Sequence, residues 1–156
     1  MLLYLDIDGV MVPANSWRRP EILDDGFPAF GPKATEALQK IISSTGAGIV
    51  LTTSHKSRYT PKEWRGIFKK RGISVNSIKR LPENTLQLNR RDELVKWFNT
   101  NPFHDNFIII DDDKSLNELP QFLKNRLLLT SGSVGLTEYQ AEEALRLIER
   151  ESHELA

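Results

Sequence analysis

Two carboxylates two residues apart, Asp6 and Asp8, stand where the apolar run Leu2 to Leu5 stops. That run is long enough for one buried strand, and alternate side chains of a strand share a face. Gly9 then turns the chain at the strand's carboxyl end, the usual side for a ligand in an open parallel sheet. Like charges buried side by side are costly, and a cation or a shared proton relieves the cost. A bare D-x-D is equally the mark of a strand running into an acidic turn, so the other strand ends decide. Ala47 to Leu51 runs into Thr52-Thr53-Ser54-His55-Lys56, and Phe107 to Ile110 runs into Asp111-Asp112-Asp113. Two acidic ends with a hydroxyl end between them form a far more specific pattern than one.

A hard divalent cation would let Asp6, Asp8, Asp111 and Asp112 share one place. All-oxygen ligation favours Mg²⁺, which keeps several waters and takes few protein carboxylates. Such a site suits phosphoryl transfer, in which a carboxylate nucleophile must approach an anionic phosphate. A hydroxyl is then needed to hold a phosphate oxygen, and Thr52 supplies one. A fixed cation is needed as well. Arg90 is the best placed, at a helix N-terminus whose dipole has the same sign.

The elements that must position these groups alternate. Pro32 opens a helix in which Ala34, Leu38, Ile41 and Ile42 keep helical spacing, and Gly46 and Gly48 close it. Thr60-Pro61-Lys62-Glu63 has capping-box spacing, Trp64, Ile67 and Phe68 form an apolar stripe, and Gly72 stands at the end. Ile73 to Leu81 is a weaker strand. Asn89 caps a helix from Arg90 to Asn99 that buries Leu94, Trp97 and Phe98. Leu127 to Leu129 is a last short strand, and Thr137 to Gln140 opens a helix to about Arg150, leaving 151–156 as a frayed tail. Strands alternating with helices predict an α/β fold, a Rossmann-like parallel sheet with helices on both faces. The chain reads as a single domain over 1–156, with 11–31 an aperiodic, proline-rich excursion over the strand ends. That excursion carries Trp17-Arg18-Arg19, an aromatic beside two cations, for which a solvated turn is the plainer reading and substrate contact the alternative.

Bulk composition excludes more than it selects. Lys plus Arg equals Asp plus Glu at 21 each, so overall charge argues for neither a nucleic-acid nor a membrane partner, and any anion site must be local. The absence of cysteine removes thiolate metal sites, disulfides and cysteine nucleophiles. No apolar run approaches the roughly 20 residues needed to span a bilayer, and the acid-interrupted start does not read as a signal peptide. The expectation is a soluble, cytoplasmic protein. His55 lies beside the hydroxyl strand end and reads as solvent-facing, with substrate contact the alternative, and no histidine spacing suggests zinc.

Leu5-Asp6-Ile7-Asp8-Gly9-Val10, Val50-Leu51-Thr52, Arg90 and Ile110-Asp111-Asp112, in that order, resemble the four motifs of the haloacid dehalogenase (HAD) superfamily of phosphohydrolases. The resemblance spans Leu2 to about Ile148. It implies that Asp6 is the nucleophile forming an aspartyl-phosphate and that Asp8 is the general acid, then the base that activates water. It also implies that Thr52 binds the phosphoryl group. Asp6, the main-chain carbonyl of Asp8, and Asp111 would hold Mg²⁺, with Asp112 either a ligand or one remove away. The third motif is usually lysine in the superfamily; here Arg90 or Arg91 must serve, and Ser54 rivals Thr52. The spacings leave no room for a large cap domain, which is similar to members that act on macromolecular ends. Arg90-Arg91-Asp92-Glu93-Leu94 with Gly135-Leu136-Thr137 is similar to the small HAD domains of bacterial RNA-repair proteins. That likeness implies a terminal phosphate of RNA, DNA or a nucleotide as substrate, with Trp17, Arg18, Arg19, Lys56 and Arg58 as stacking and backbone contacts. The other readings are a phosphoprotein phosphatase, a catalytically silent HAD-fold binding module, and a signalling receiver. The receiver fits poorly, because the D-x-D-G turn comes first and the other acids late. One geometric demand follows from all of this. The Asp6 and Asp111 carboxyl groups must lie within roughly 7 Å of each other to share an ion.

Overall fold

The computed structural model describes residues 1–14, 19–101 and 106–155, with side chains described to residue 149. Five strands, β1 (Leu2–Leu5), β2 (Gly48–Leu51), β3 (Ile78–Arg80), β4 (Phe107–Asp111) and β5 (Leu127–Leu129), form one sheet in the order β3-β2-β1-β4-β5. Every pairing is parallel. The helices are α1 (Pro32–Thr45), α2 (Pro61–Lys70), α3 (Arg90–Thr100), α4 (Gln121–Lys124) and α5 (Glu138–Leu155), with 3-10 turns at Lys56–Arg58 and Lys114–Glu118. This is the α/β, Rossmann-like architecture that the alternating pattern predicts, without a large cap.

Period-two alternation builds two cores from the same strands. Leu3, Leu5, Ile49, Leu51, Ile108 and Ile110 face one layer, where Ala34, Ala37, Leu38, Ile41, Ala141 and Ala144 bring α1 and α5 onto the sheet. Tyr4, Val50, Phe107 and Ile109 face the other, against Leu94 and Phe98 of α3 and Leu116, Leu119 and Leu123 beyond β4. Each face is apolar, so the strands read as unbroken hydrophobic runs. Among the described residues, no helix is long and apolar enough to cross a membrane.

Local signals set the helix ends. Thr60 and Glu63 exchange the reciprocal bonds of a capping box at α2, and Asn89 accepts from the Asp92 N–H at α3. Gly46, at φ 67°, closes α1 by donating its N–H to the Ile42 carbonyl. Two boundaries differ from the sequence reading by more than one residue. β3 is only three residues long, because the stretch before it holds a bend and few apolar side chains. Helix α5 continues to Leu155 where a frayed tail is predicted from 151, since no glycine or proline interrupts it.

The described part of 11–31 is held down as a small hairpin, with Ile22 bridging Pro28 and Phe27 and Phe30 buried. Arg71, just past α2, is its clasp. Its guanidinium meets both Asp25 oxygens at 2.6 and 3.1 Å and donates to the carbonyls of Phe27 (2.9 Å) and Pro28 (3.0 Å). It also lies over the Phe27 and Phe30 rings, and the contact holds the Asp25 carboxyl below its ordinary range. The Arg71 side chain is almost wholly buried, so truncation takes a donor from three carbonyls, those of Phe27, Pro28 and Ile67, and from a carboxylate. Arg71→Ala is expected to lower unfolding free energy by about 3 kcal/mol or somewhat more in urea titrations. Arg71→Lys recovers little of it, because one ammonium cannot replace a planar fork.

Candidate active site

Register does most of the assembly. Leu5 of β1 pairs with Leu51 of β2 and with Ile110 of β4, so the next residues, Asp6, Thr52 and Asp111, come level at the strand ends. The Asp6 N–H donates to the Ile110 carbonyl and the Thr52 N–H to the Leu5 carbonyl, both at 3.0 Å, carrying the ladder one step further. All three follow the parity of Tyr4, Val50 and Ile109, the face on which α3 packs. The first residue of α3 is Arg90, and its guanidinium reaches into the gap. Arg90 Nη1 lies 2.6 Å from Asp111 Oδ2, 3.2 Å from Thr52 Oγ1 and 3.6 Å from Asp6 Oδ1. The site stands where β1 has a neighbour on each side and the strand order switches from one side of it to the other, the usual crevice of such sheets.

The loop after β1 is stapled tightly. Val10, Met11 and Val12 all donate to the Ile7 carbonyl, the Leu136 N–H donates to Val10, and buried Thr130 donates to the Gly9 carbonyl at 2.8 Å. Gly9 sits at φ 79°, and a Cβ there would meet Asp112 Oδ2 at 1.9 Å. Gly132 offers a second bare surface, with Asp112 Oδ2 at 2.9 Å from where its Cβ would stand. Asp112 therefore occupies a slot that only glycines leave open.

Charge in this slot is out of balance. Carboxylate oxygens of Asp6, Asp111 and Asp112 lie within 4.8 Å of one another, well inside the distance that sharing an ion demands. Asp6 and Asp111 are buried, and Arg90 is the cation between them. Burial, then the Asp111 charge, pushes the Asp6 carboxyl up to about 9 against the pull of Arg90. Burial also raises Asp111, although Arg90 opposes it. Burial alone would lower Arg90, but the carboxylates of Asp111, Asp6 and Glu93 outweigh it and hold the guanidinium above its ordinary value. The donor set is all oxygen and over-charged, which fits a hard divalent cation. The three acids are unequal, however. Asp111 Oδ2 is bound to Arg90, and Asp111 Oδ1 accepts the Asp113 N–H at 3.0 Å, whereas Asp112 Oδ2 lies in the glycine slot.

The remaining candidates divide. The Asp8 side chain stands outside the cluster, half exposed, with Oδ2 2.8 Å from His55 Nε2. Ser54 is exposed and lines a cavity of about 430 Å³ together with Asn84, Asn89 and Arg90, while Thr52 is fully buried against Arg90. Two expectations need correction. Arg91 turns away: it donates to the Glu118 carbonyl at 2.9 Å and to Asp92 at 2.6 Å, because one helical step points it roughly 100° from Arg90. Lys56 is not an exposed loop cation but a buried one, with Nζ 2.8 Å from Glu93 Oε2, and it lines the same cavity as Ser54 and Arg90. That approach is a charge contact without hydrogen-bond directionality, and Glu93 Oε1 in turn lies 3.7 Å from Arg90 Nε. Arg58 lies over the Tyr59 ring. Trp17 and Arg18 fall outside the described residues, and Arg19 is exposed. Glu93, Thr130 and the His55–Asp8 contact carry no sequence signal beyond adjacency to the motifs.

No curated protein and no solved structure matches the chain. A family model does, over residues 2–141, and its description is "HAD domain in Swiss Army Knife RNA repair proteins". That span takes in every strand, the level trio Asp6, Thr52 and Asp111, Arg90, and the Gly9–Asp112 slot, so the chain belongs to this family of HAD domains.

Proposed function

We propose that the site is a Mg²⁺-dependent phosphomonoesterase that works through an aspartyl-phosphate on Asp6, acting on the terminal phosphate of a nucleic acid or nucleotide. The observation that carries this reading is the level placement of Asp6, Thr52 and Asp111 around the Arg90 guanidinium. Asp6 Oδ1 accepts the Ile7 N–H at 2.8 Å and faces Arg90, which leaves Oδ2 as the attacking oxygen. Arg90 and the Thr52 hydroxyl bind the non-bridging phosphate oxygens and stabilise the charge they gather. Asp8, free of the cluster at the rim, protonates the leaving oxygen and then takes the proton of the attacking water. Asp6, Asp111, Asp112 and the Asp8 carbonyl would hold Mg²⁺, and Asp111 also steadies Arg90. Bound there, the ion neutralises the clustered acids and offsets repulsion between Asp6 and the phosphate.

The family's description favours an RNA substrate class. The cavity beside Arg90, lined by Ser54, Asn84 and Asn89, is where the terminal unit would sit. The test is a Mg²⁺-supplemented screen of oligonucleotides phosphorylated at either end, nucleotides and phosphopeptides. Phosphate release is expected from oligonucleotide or nucleotide ends, with kcat/KM at least about 10-fold above that for phosphopeptides. A preference for phosphopeptides overturns the substrate class, and no release from any of them overturns the phosphatase reading.

A further inference from the structure

We propose that His55 is a positioning residue that fixes the Asp8 carboxyl for proton transfer to the leaving group, an inference that rests on the phosphatase reading above. His55 Nε2 lies 2.8 Å from Asp8 Oδ2, with the imidazole a third exposed and Asp8 about half exposed. A contact this wet adds little to folding, so its consequence is geometric. The backbone under the ring is held, its main-chain N–H donating to Thr53 Oγ1 at 3.3 Å and its carbonyl accepting the Arg58 N–H at 2.9 Å, and the ring stands edge-on to Phe27 at 5.9 Å. Phe27 is buried against Trp64 and Tyr59, so the wall behind the imidazole is rigid.

This contact divides the labour of the two Asp8 oxygens. In the tautomer that carries the proton on Nε2, His55 donates to Oδ2, leaving Oδ1 to carry the mobile proton. In the first step an Asp6 oxygen forms a bond to phosphorus and the bond from phosphorus to the ester oxygen breaks. The ester oxygen keeps the electron pair and takes the Asp8 proton. In the second step water attacks phosphorus and gives a proton to Asp8, and the Asp6 carboxylate departs. Ester plus water becomes alcohol plus phosphate.

The test compares wild type, His55→Ala and His55→Gln on phenyl phosphate and dinitrophenyl phosphate, whose leaving group needs no proton. His55→Ala should lower kcat/KM for phenyl phosphate, which reports only the steps up to aspartyl-phosphate formation, about 10- to 100-fold. Dinitrophenyl phosphate should be spared, and His55→Gln, whose amide reaches the Nε2 position, should recover most of the loss. In the metal-free protein, Asp8→Asn should shift the imidazole nitrogen resonances of His55. Equal losses on both esters, no loss on either, or unmoved resonances overturn the inference while the phosphatase reading stands. A wild type inert toward both esters overturns the two together.

Discussion

Asp6→Asn is expected to lower phosphate release by about four orders of magnitude or more, because an amide cannot form the acyl phosphate and no neighbouring group replaces it. The same variant is expected to be more stable than wild type without metal, and increasingly so as pH rises. The Asp6 carboxyl titrates near its ordinary value in the unfolded chain and is pushed up to about 9 in the fold, by burial first and Asp111 second. A raised carboxyl contributes its full stability only below the unfolded value, near pH 4, and that contribution is lost as pH climbs through 9. Wild-type metal-free stability should therefore fall between these limits, by up to about 1.4 kcal/mol per pH unit for each proton retained. The amide substitution removes one titrating group and flattens the slope. Urea unfolding with chelator present, at several pH values for both proteins, measures it; parallel slopes would show that the Asp6 carboxyl is not strained. Added Mg²⁺ should stabilise wild type far more than the variant, since the ion binds the deprotonated cluster.

Which parts of this site are legible without coordinates depends on the physics that fixes each. The runs ending at Asp6, Thr52 and Asp111 declare themselves, because strands buried on both faces must be continuously apolar. That their ends converge follows from parallel pairing alone. Their level register does not, since it depends on which backbone carbonyl each amide meets. Arg90 and Arg91 are indistinguishable by type and differ only by a helical step, which sends one to Asp111 and the other to Glu118. Lys56 reads as a loop cation. Its burial becomes intelligible only once Glu93, one turn into α3, is seen across from it with Arg90 as a shared neighbour. The 3-10 turns and four-residue α4 are too short to show a period, and the long α5 outruns the predicted boundary because a polar helix end looks like a tail. His55 reads as solvent-facing, and in exposure that is close to right. Its partner is fixed by the turn after β2, which no spacing rule encodes.

Arg90→Ala is expected to cut kcat/KM by about two to three orders of magnitude, the usual consequence of removing a preorganised donor from developing charge. Arg90 also has a structural account to settle, and a double-mutant cycle separates the two. Its guanidinium is largely buried at 2.6 Å from a fully buried Asp111 oxygen. Truncating it alone leaves Asp111 and Asp6 facing each other with no cation, a loss of about 3 kcal/mol or more without metal. Asp111→Asn removes a charge that burial already disfavours, so it should be tolerated better than Arg90→Ala in folding. The double variant should be less damaged than the sum of its parts, with a coupling of about 1–3 kcal/mol in metal-free unfolding. For activity the cycle should run differently. Arg90→Lys restores charge but not a fork able to reach Asp111 and Thr52 together, so it should recover stability more fully than turnover. Additive stabilities would break the assignment of Asp111 as the anchor of Arg90, and full turnover by Arg90→Ala would remove the guanidinium from the phosphate site.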